Sequence, residues 1–241
     1  MLDNYKPESI LFLDVETVPM RRSYVELPDV FRKLWDRKSE VLQRSDRILA
    51  EERKTPEEMF GRAGIYAEFG KIVCISTGIL RNQVLWLKSF AGDDEVAILS
   101  EFRDLLLKAP EKKFQYLCAH NGKEFDYPYL IRRMLINGLS VPAILDLSGK
   151  KPWEVNHLDT MELWKFGDYK NYSSLELLAA VFGIPTPKED MEGSDVARVY
   201  WEDHDLPRII RYCQRDVTTI VNLFLSFRQK SLITEKQIQY L

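Results

Sequence analysis

The sequence is short of the residues that build common redox and zinc sites. It has three cysteines in 241 residues. Cys74, Cys118 and Cys213 each sit inside an apolar segment, and none forms a C-x-x-C pair. They read as buried free thiols in a reducing compartment, so a cytoplasmic location is expected. Three histidines and no paired cysteines speak against zinc. No apolar run approaches the roughly 20 residues of a membrane span. The first residues, MLDNYKPES, lack the basic-then-apolar order of a signal peptide. An excess of positive charge is missing too: 34 Lys and Arg against 37 Asp and Glu give a net charge of −3. Non-specific nucleic-acid binders are usually basic, so the balance argues weakly against that partner without excluding it. An acidic metal site lowers net charge, and local basic clusters can still guide a phosphate chain. Internal repeats, low-complexity tracts and linkers are absent as well. One domain over residues 1–241 is therefore expected, with ample length for a core.

What is present starts at residues 9–19, SILFLDVETVP. Four apolar residues, Ile10, Leu11, Phe12 and Leu13, suit a strand buried on both faces. Asp14 and Glu16 follow, two apart, so both leave the same face of that strand. Two carboxylates this close resist ionising together unless something positive lies between them. A divalent cation with hard oxygen ligands, Mg²⁺ or Mn²⁺, is the natural candidate. A solvated strand end leading into a turn is the plain alternative.

Residues 19–70 are rich in charge and read as a helical insertion beside the site. Phe31, Leu34, Trp35 and then Val41, Leu42, Ile48, Leu49 have the spacing of short amphipathic helices. Thr55-Pro56-Glu57-Glu58 has the form of a helix start. The basic residues Arg21, Arg22, Lys33, Arg37, Lys38, Arg44 and Arg47 form either a solvated face or a surface that meets phosphates. Residues 71–80 and 83–90 read as a hairpin turning at Asn82. Asp93 is expected to cap a helix that runs to about Lys108 and is ended by Ala109-Pro110. A strand over 114–119 follows, then a helix after Asp126 ending near Asn137-Gly138. Residues 158–162 read as a short strand. Helices are expected over 172–182, capped by Ser173 or Ser174, over 194–201, and from Leu206 to about Arg228. This order implies an α/β fold with a mixed sheet.

Two further acids stand in suggestive settings. In HNGKEFDYPYL, Gly122 permits a tight bend and Asp126 falls in the first turn of a helix, after a buried strand. Asn121 and Phe125 flank it with a hydrogen-bonding and a stacking group. An ordinary helix cap is the plain alternative. In YCQRD, Tyr212 and Asp216 are four apart and share one helix face. A structural hydrogen bond would explain that pair equally.

Taken together, D-x-E on the first strand, N-G-x-x-F-D after a later strand and Y-x-x-x-D on a late helix form a specific order. The chain resembles the tyrosine-bearing DEDD (DEDDy) 3′–5′ exonucleases of the ribonuclease H-like superfamily. EFGKIVCIS, HNGKEFDYPYL and YCQRDV are most similar to the proofreading exonuclease of family B DNA polymerases and to a bacterial group of predicted exonucleases like it. No polymerase domain is expected after Leu241. The resemblance implies a central mixed five-stranded sheet flanked by helices, two Mg²⁺ or Mn²⁺ ions, and hydrolysis of phosphodiester bonds from a 3′ end. It implies that Asp14 bridges both ions, that Glu16 and Asp216 complete the first, and that Asp126 holds the second. Tyr212 would orient the attacking water rather than act as a strong base, since tyrosine ordinarily titrates near pH 10. Val15 and Thr17 would contact the terminal nucleotide, Asn121 the sugar and Phe125 a base. Asp159 reads as structural and His120 as a loop hydrogen-bonder. Single-stranded DNA is the expected substrate. An exoribonuclease, a non-catalytic nucleic-acid-binding module and a hydrolase of small nucleotides are the competing readings.

Overall fold

The structure is a computed structural model and describes residues 4–112, 114–168, 170, 172–185 and 191–241. Six strands form one mixed sheet: β1 (Ile10–Pro19), β2 (Gly70–Arg81), β3 (Val84–Ala91), β4 (Tyr116–Ala119), β5 (Leu158–Asp159) and β6 (Ile238–Tyr240). Their order across the sheet is β5-β4-β1-β2-β3-β6. The helices are α1 (Asp29–Ser45), α2 (Glu95–Leu107), α3 (Ala109–Lys112), α4 (Asp126–Ile136), α5 (Thr160–Lys165), α6 (Leu175–Val181), α7 (Val196–Arg198) and α8 (Leu206–Phe227). This is the expected mixed α/β architecture with one strand more. β6 is added because the end of the chain returns along β3 in parallel, with Leu85 opposite Ile238. Its three residues are largely exposed and carry no alternating pattern that could mark them beforehand.

β1 is central. It runs antiparallel to β2 and parallel to β4. Its alternation divides the core into two layers. Leu11, Leu13 and Val15 pack with α2 and α4, while Ile10 and Phe12 pack beneath α8. α8 earns its place through Val217, Ile220, Val221 and Phe224, spaced at three and four residues. A Cβ at Gly78 would come within 2.8 Å of the Val217 side chain, so the glycine lets α8 lie close on β2. Asp14 and Glu16 continue the α8-facing series of β1. The ladder shifts register between Glu16 and Thr17, a bulge that re-aims the strand just past the acids.

Several boundaries differ from expectation. Asp94, not Asp93, caps α2 by accepting from the amides of Val96 and Ala97; Asp93 instead accepts from the Tyr200 hydroxyl at 2.7 Å. Pro110 does not end the helical path, because α3 continues to Lys112 and proline fits a first helical turn. The turn of the hairpin is Asn82-Gln83, both at positive φ, 49° and 63°, the geometry of a tight two-residue turn. The stretch 158–162 is only two residues of strand before α5 begins. The stretch 194–201 is a succession of short helical turns rather than one helix.

The segment between β1 and β2 contains one long helix, α1. It buries Trp35, Ser39 and Gln43, while Leu34 and Val41 stay exposed, as does Leu49 beyond its end. The inward polar groups are satisfied: Gln43 bonds both the N–H and the C=O of Lys54. The Trp35 indole donates to the Pro56 carbonyl at 2.8 Å and packs on Phe60 and Phe69. Thr55 and Glu58 exchange hydrogen bonds as a capping box, although only a single turn follows before the 3₁₀ helix Phe60–Ile65.

Candidate active site

The site lies beyond the last parallel pairs of β1 with β4 and of β4 with β5, Phe12 with Cys118 and Ala119 with Asp159, where α/β sheets gather functional groups. β1 supplies Asp14 and Glu16. The loop after β4 supplies Asn121 and leads to Asp126, the first residue of α4. α8 supplies Tyr212, Cys213 and Asp216 from above.

The loop is held in place by a buried carboxylate. Asp159, at the end of β5, accepts from the backbone amides of Asn121 and Lys123 at 2.9 and 3.1 Å, and caps α5 through Met161 and Glu162. Its structural reading is therefore what the hydrogen bonds give. Asn121 sits in the left-handed region at φ 61°, unusual for a residue other than glycine. Its carbonyl accepts from the amide of Phe125. Gly122 has no room for a Cβ, which would come within 2.5 Å of the Ala119 Cβ. His120 bonds Thr160 and the Ser173 carbonyl, both at 2.9 Å, and serves the loop.

These elements bring Asp14 and Glu16 within ligand distance, while Asp216 and Asp126 stand near enough to Asp14 to raise its titration or have theirs raised by it. Among the described residues, Asp14, Glu16 and Cys213 each place a ligand atom within 4.8 Å of the others. Asp14 Oδ2 is buried and has no hydrogen-bond partner. Burial and the neighbouring charge of Asp216 push the Asp14 carboxyl up to about 7. Glu16 is driven well above the usual carboxylate range by burial, then by Asp14 and Asp216. Asp126 rises likewise through burial, then through Asp14 and Asp159. Burial lifts Asp216 to about 6, against the opposing pull of Arg215 and Tyr212. Each acid is thus kept from ionising freely by its surroundings and its neighbours. Tyr212 is raised by burial, then by Asp216, Glu16 and Asp14, so its hydroxyl stays protonated near neutral pH and donates to Asp216.

The residues beside the acids are placed less uniformly. The Val15 side chain is buried in the core, leaving its backbone facing the acids. Thr17 is half-buried and bonds the Tyr129 hydroxyl. The Phe125 ring is half-buried against Tyr129, with centroids 5.3 Å apart. Two neighbours were not anticipated. Cys213 donates its S–H to the Asp14 carbonyl at 3.4 Å. The Arg215 guanidinium lies over the Tyr212 ring at 4.8 Å and 3.7 Å from Asp216. Helical spacing carried the signal for both: Cys213 is three before Asp216, and Arg215 three after Tyr212.

A partnerless buried carboxylate oxygen inside a set of four acids suits hard divalent cations, which take oxygen ligands and offset the crowded charge.

The fold and these acids define a ribonuclease H-like α/β protein with a carboxylate centre. A family model, described as a predicted 3′–5′ exonuclease related to the exonuclease domain of PolB, matches residues 65–239, and the chain belongs to that family. The match begins beyond β1, so the positions of Asp14 and Glu16 rest on the structure itself. A search of curated proteins finds no match. Among solved structures, the family B DNA polymerase from the hyperthermophilic archaeon Pyrobaculum calidifontis is similar in fold, with a TM-score of 0.56 at 16% identity. The alignment covers 91% of this chain and 24% of the polymerase. Among the described residues no helix is long and apolar enough to cross a membrane.

Proposed function

We propose that this exonuclease removes nucleotides from the 3′ end of single-stranded DNA, using two divalent ions, Mg²⁺ or Mn²⁺. The observation that carries the reading is the buried, unpartnered Asp14 Oδ2 among acids whose pKa values are all raised. Asp14, Glu16 and Asp216 would hold one ion, and Asp14 with Asp126 the other. When bound, such a pair of ions activates water and stabilises the departing 3′ oxygen. The chain's own part is to hold and orient. Four carboxylates bring enough negative charge to keep two dications without basic help. Tyr212, protonated near neutral pH, orients the attacking water by a hydrogen bond and is unsuited to remove its proton. The Val15 backbone and Thr17 meet the terminal nucleotide, Asn121 its sugar, and the Phe125 face its base. Residues 19–70 form an insertion within a single exonuclease domain. Three buried thiols with no disulfide fit a reducing, cytoplasmic setting.

The test is a time course on 5′-labelled single-stranded DNA and RNA oligomers with Mg²⁺, Mn²⁺ or EDTA. A ladder shortening from the 3′ end, faster on DNA and abolished by EDTA and by Asp14→Ala, is expected. Faster shortening of RNA would reassign the substrate. No cleavage of either by the folded protein would overturn the reading.

A further inference from the structure

Next to the acid centre is a cavity of about 600 Å³ that the catalytic assignment does not use. Its wall begins at Asn121, Lys123 and Glu124, on the loop leading to Asp126, and runs outward to Arg132, Lys150 and Lys165. A smaller hollow of about 360 Å³ adjoins it, sharing Lys123, Val155, Asp159 and Glu162, and is bordered by Trp153.

Three aromatic side chains stand open on this side of the molecule: Trp153, which borders the smaller hollow, is 76% exposed; Tyr172, under Lys165 of the larger wall, 62%; and Phe166, the residue after Lys165, 72%. Large rings this open leave most of their apolar surface in water, although Phe166 meets Trp164 edge-on at 6.5 Å. Two carry a lysine on one face, Lys151 over Trp153 at 5.3 Å and Lys165 over Tyr172 at 4.1 Å. Phe166 also sits at φ 44°, in the left-handed region that bulky residues avoid. That backbone closes α5, as a left-handed residue commonly ends a helix, and it turns the ring outward.

Charge does not explain the face. The cavity wall sets Lys123, Arg132, Lys150 and Lys165 against Glu124, Asp146, Asp159 and Glu162, a neutral balance. Lys123 is tied to Glu162 at 2.6 Å. A ligand held here is held mainly by ring faces, with a few lysines at its edge. Exposed bases of a single strand have that chemistry, because every base offers a π-face. A duplex, whose bases already stack on each other, does not.

We propose that this face is a stacking track for the single strand upstream of the 3′ end, gripping bases more than phosphates. The proposal rests on the exonuclease reading above. It also accounts for a nucleic-acid enzyme with a net charge of −3.

The test measures binding of a labelled 16-nucleotide DNA strand by fluorescence anisotropy in EDTA. In parallel it measures Mn²⁺-dependent hydrolysis of the p-nitrophenyl ester of thymidine 5′-monophosphate, too small to reach the track. The double variant Trp153→Ala/Phe166→Ala should weaken strand binding by tenfold or more and leave ester hydrolysis unchanged. Lys150→Ala/Lys165→Ala should weaken binding less, and the wild-type slope of log affinity against log salt should be no steeper than about −2, roughly three phosphate contacts. A duplex of the same length should compete poorly. Unchanged strand binding in the aromatic variant, or equal loss of ester hydrolysis, would overturn the track. Ester hydrolysis without strand binding in the wild type would overturn it while sparing the acid centre. Absence of both ester hydrolysis and oligomer cleavage would overturn the exonuclease reading and the track with it.

Discussion

Glu95 and Asp14 are both drawn into the interior, and the fold treats the two carboxylates in opposite ways. Glu95, at the start of α2, accepts from the Ile72 amide at 2.7 Å, from Arg133 through Nε at 2.9 Å and Nη2 at 2.5 Å, and from Asn137 at 3.0 Å. Arg133 completes the network by donating to the Ala67 carbonyl at 2.7 Å. In the same sheet, Asp14 has a buried oxygen with no partner and lies beside Glu16 and Asp216. The first arrangement joins α2, β2, α4 and the end of the insertion. The second leaves carboxylates crowded on the central strand. A folded protein keeps such crowding where a ligand is due to relieve it.

The comparison can be broken most decisively at Asp14. Asp14→Ala or Asp216→Ala should remove exonuclease activity by several orders of magnitude, with melting temperature unchanged or higher because buried repulsion is relieved. Substantial residual cleavage would contradict the role of these acids. At the other site the effect should fall on stability: Arg133→Ala strands Glu95 and should cost about 3–5 kcal/mol, read as a lower urea midpoint. A midpoint close to wild type would mean that the Glu95 network holds little together.

Tyr212→Phe sharpens the account further. Losing a hydrogen bond to a charged group should slow turnover about tenfold to a hundredfold, with Mn²⁺ affinity nearly unchanged. A large loss of metal binding would show instead that Tyr212 supports the ligands. The smallest effect concerns pH. In EDTA, Asp14 keeps its proton to about pH 7 in the folded protein, against about 3.9 when unfolded. Its contribution is then fully present below the unfolded value and lost as pH rises through about 7. The melting temperature of Asp14→Asn should therefore gain on that of wild type from pH 5 to pH 8; parallel curves would contradict the burial of that charge.

Much of this was legible in the sequence because local patterns specified it. Ile10 to Leu13 marked β1, the two-residue spacing of Asp14 and Glu16 put both on one face, and the four-residue spacing of Tyr212 and Asp216 did the same on α8. That all five acidic and phenolic groups meet at one place was legible only through the order of three motifs. What escaped was non-local. Glu95 and Arg133 are 38 residues apart, and nothing local announces their pairing. β6 has too few residues to show a period. In α1 the inward face includes Ser39, which donates to the Asp36 carbonyl one turn back, and Gln43, satisfied by Lys54 of the following loop, so an apolar pattern misplaced it. Trp153 and Phe166 gave no periodic signal, since exposure is decided by what does not pack against them.

The measurement that bears most directly on the central contrast is Mn²⁺ binding followed by loss of the free-ion electron paramagnetic resonance signal. It would compare wild type, Asp14→Ala, Asp216→Ala and Glu95→Gln. Two bound ions in wild type, loss of binding in the two aspartate variants and retention in folded Glu95→Gln are predicted. Equal binding by wild type and Asp14→Ala would contradict the account, because the unbalanced acids would then not be the metal centre.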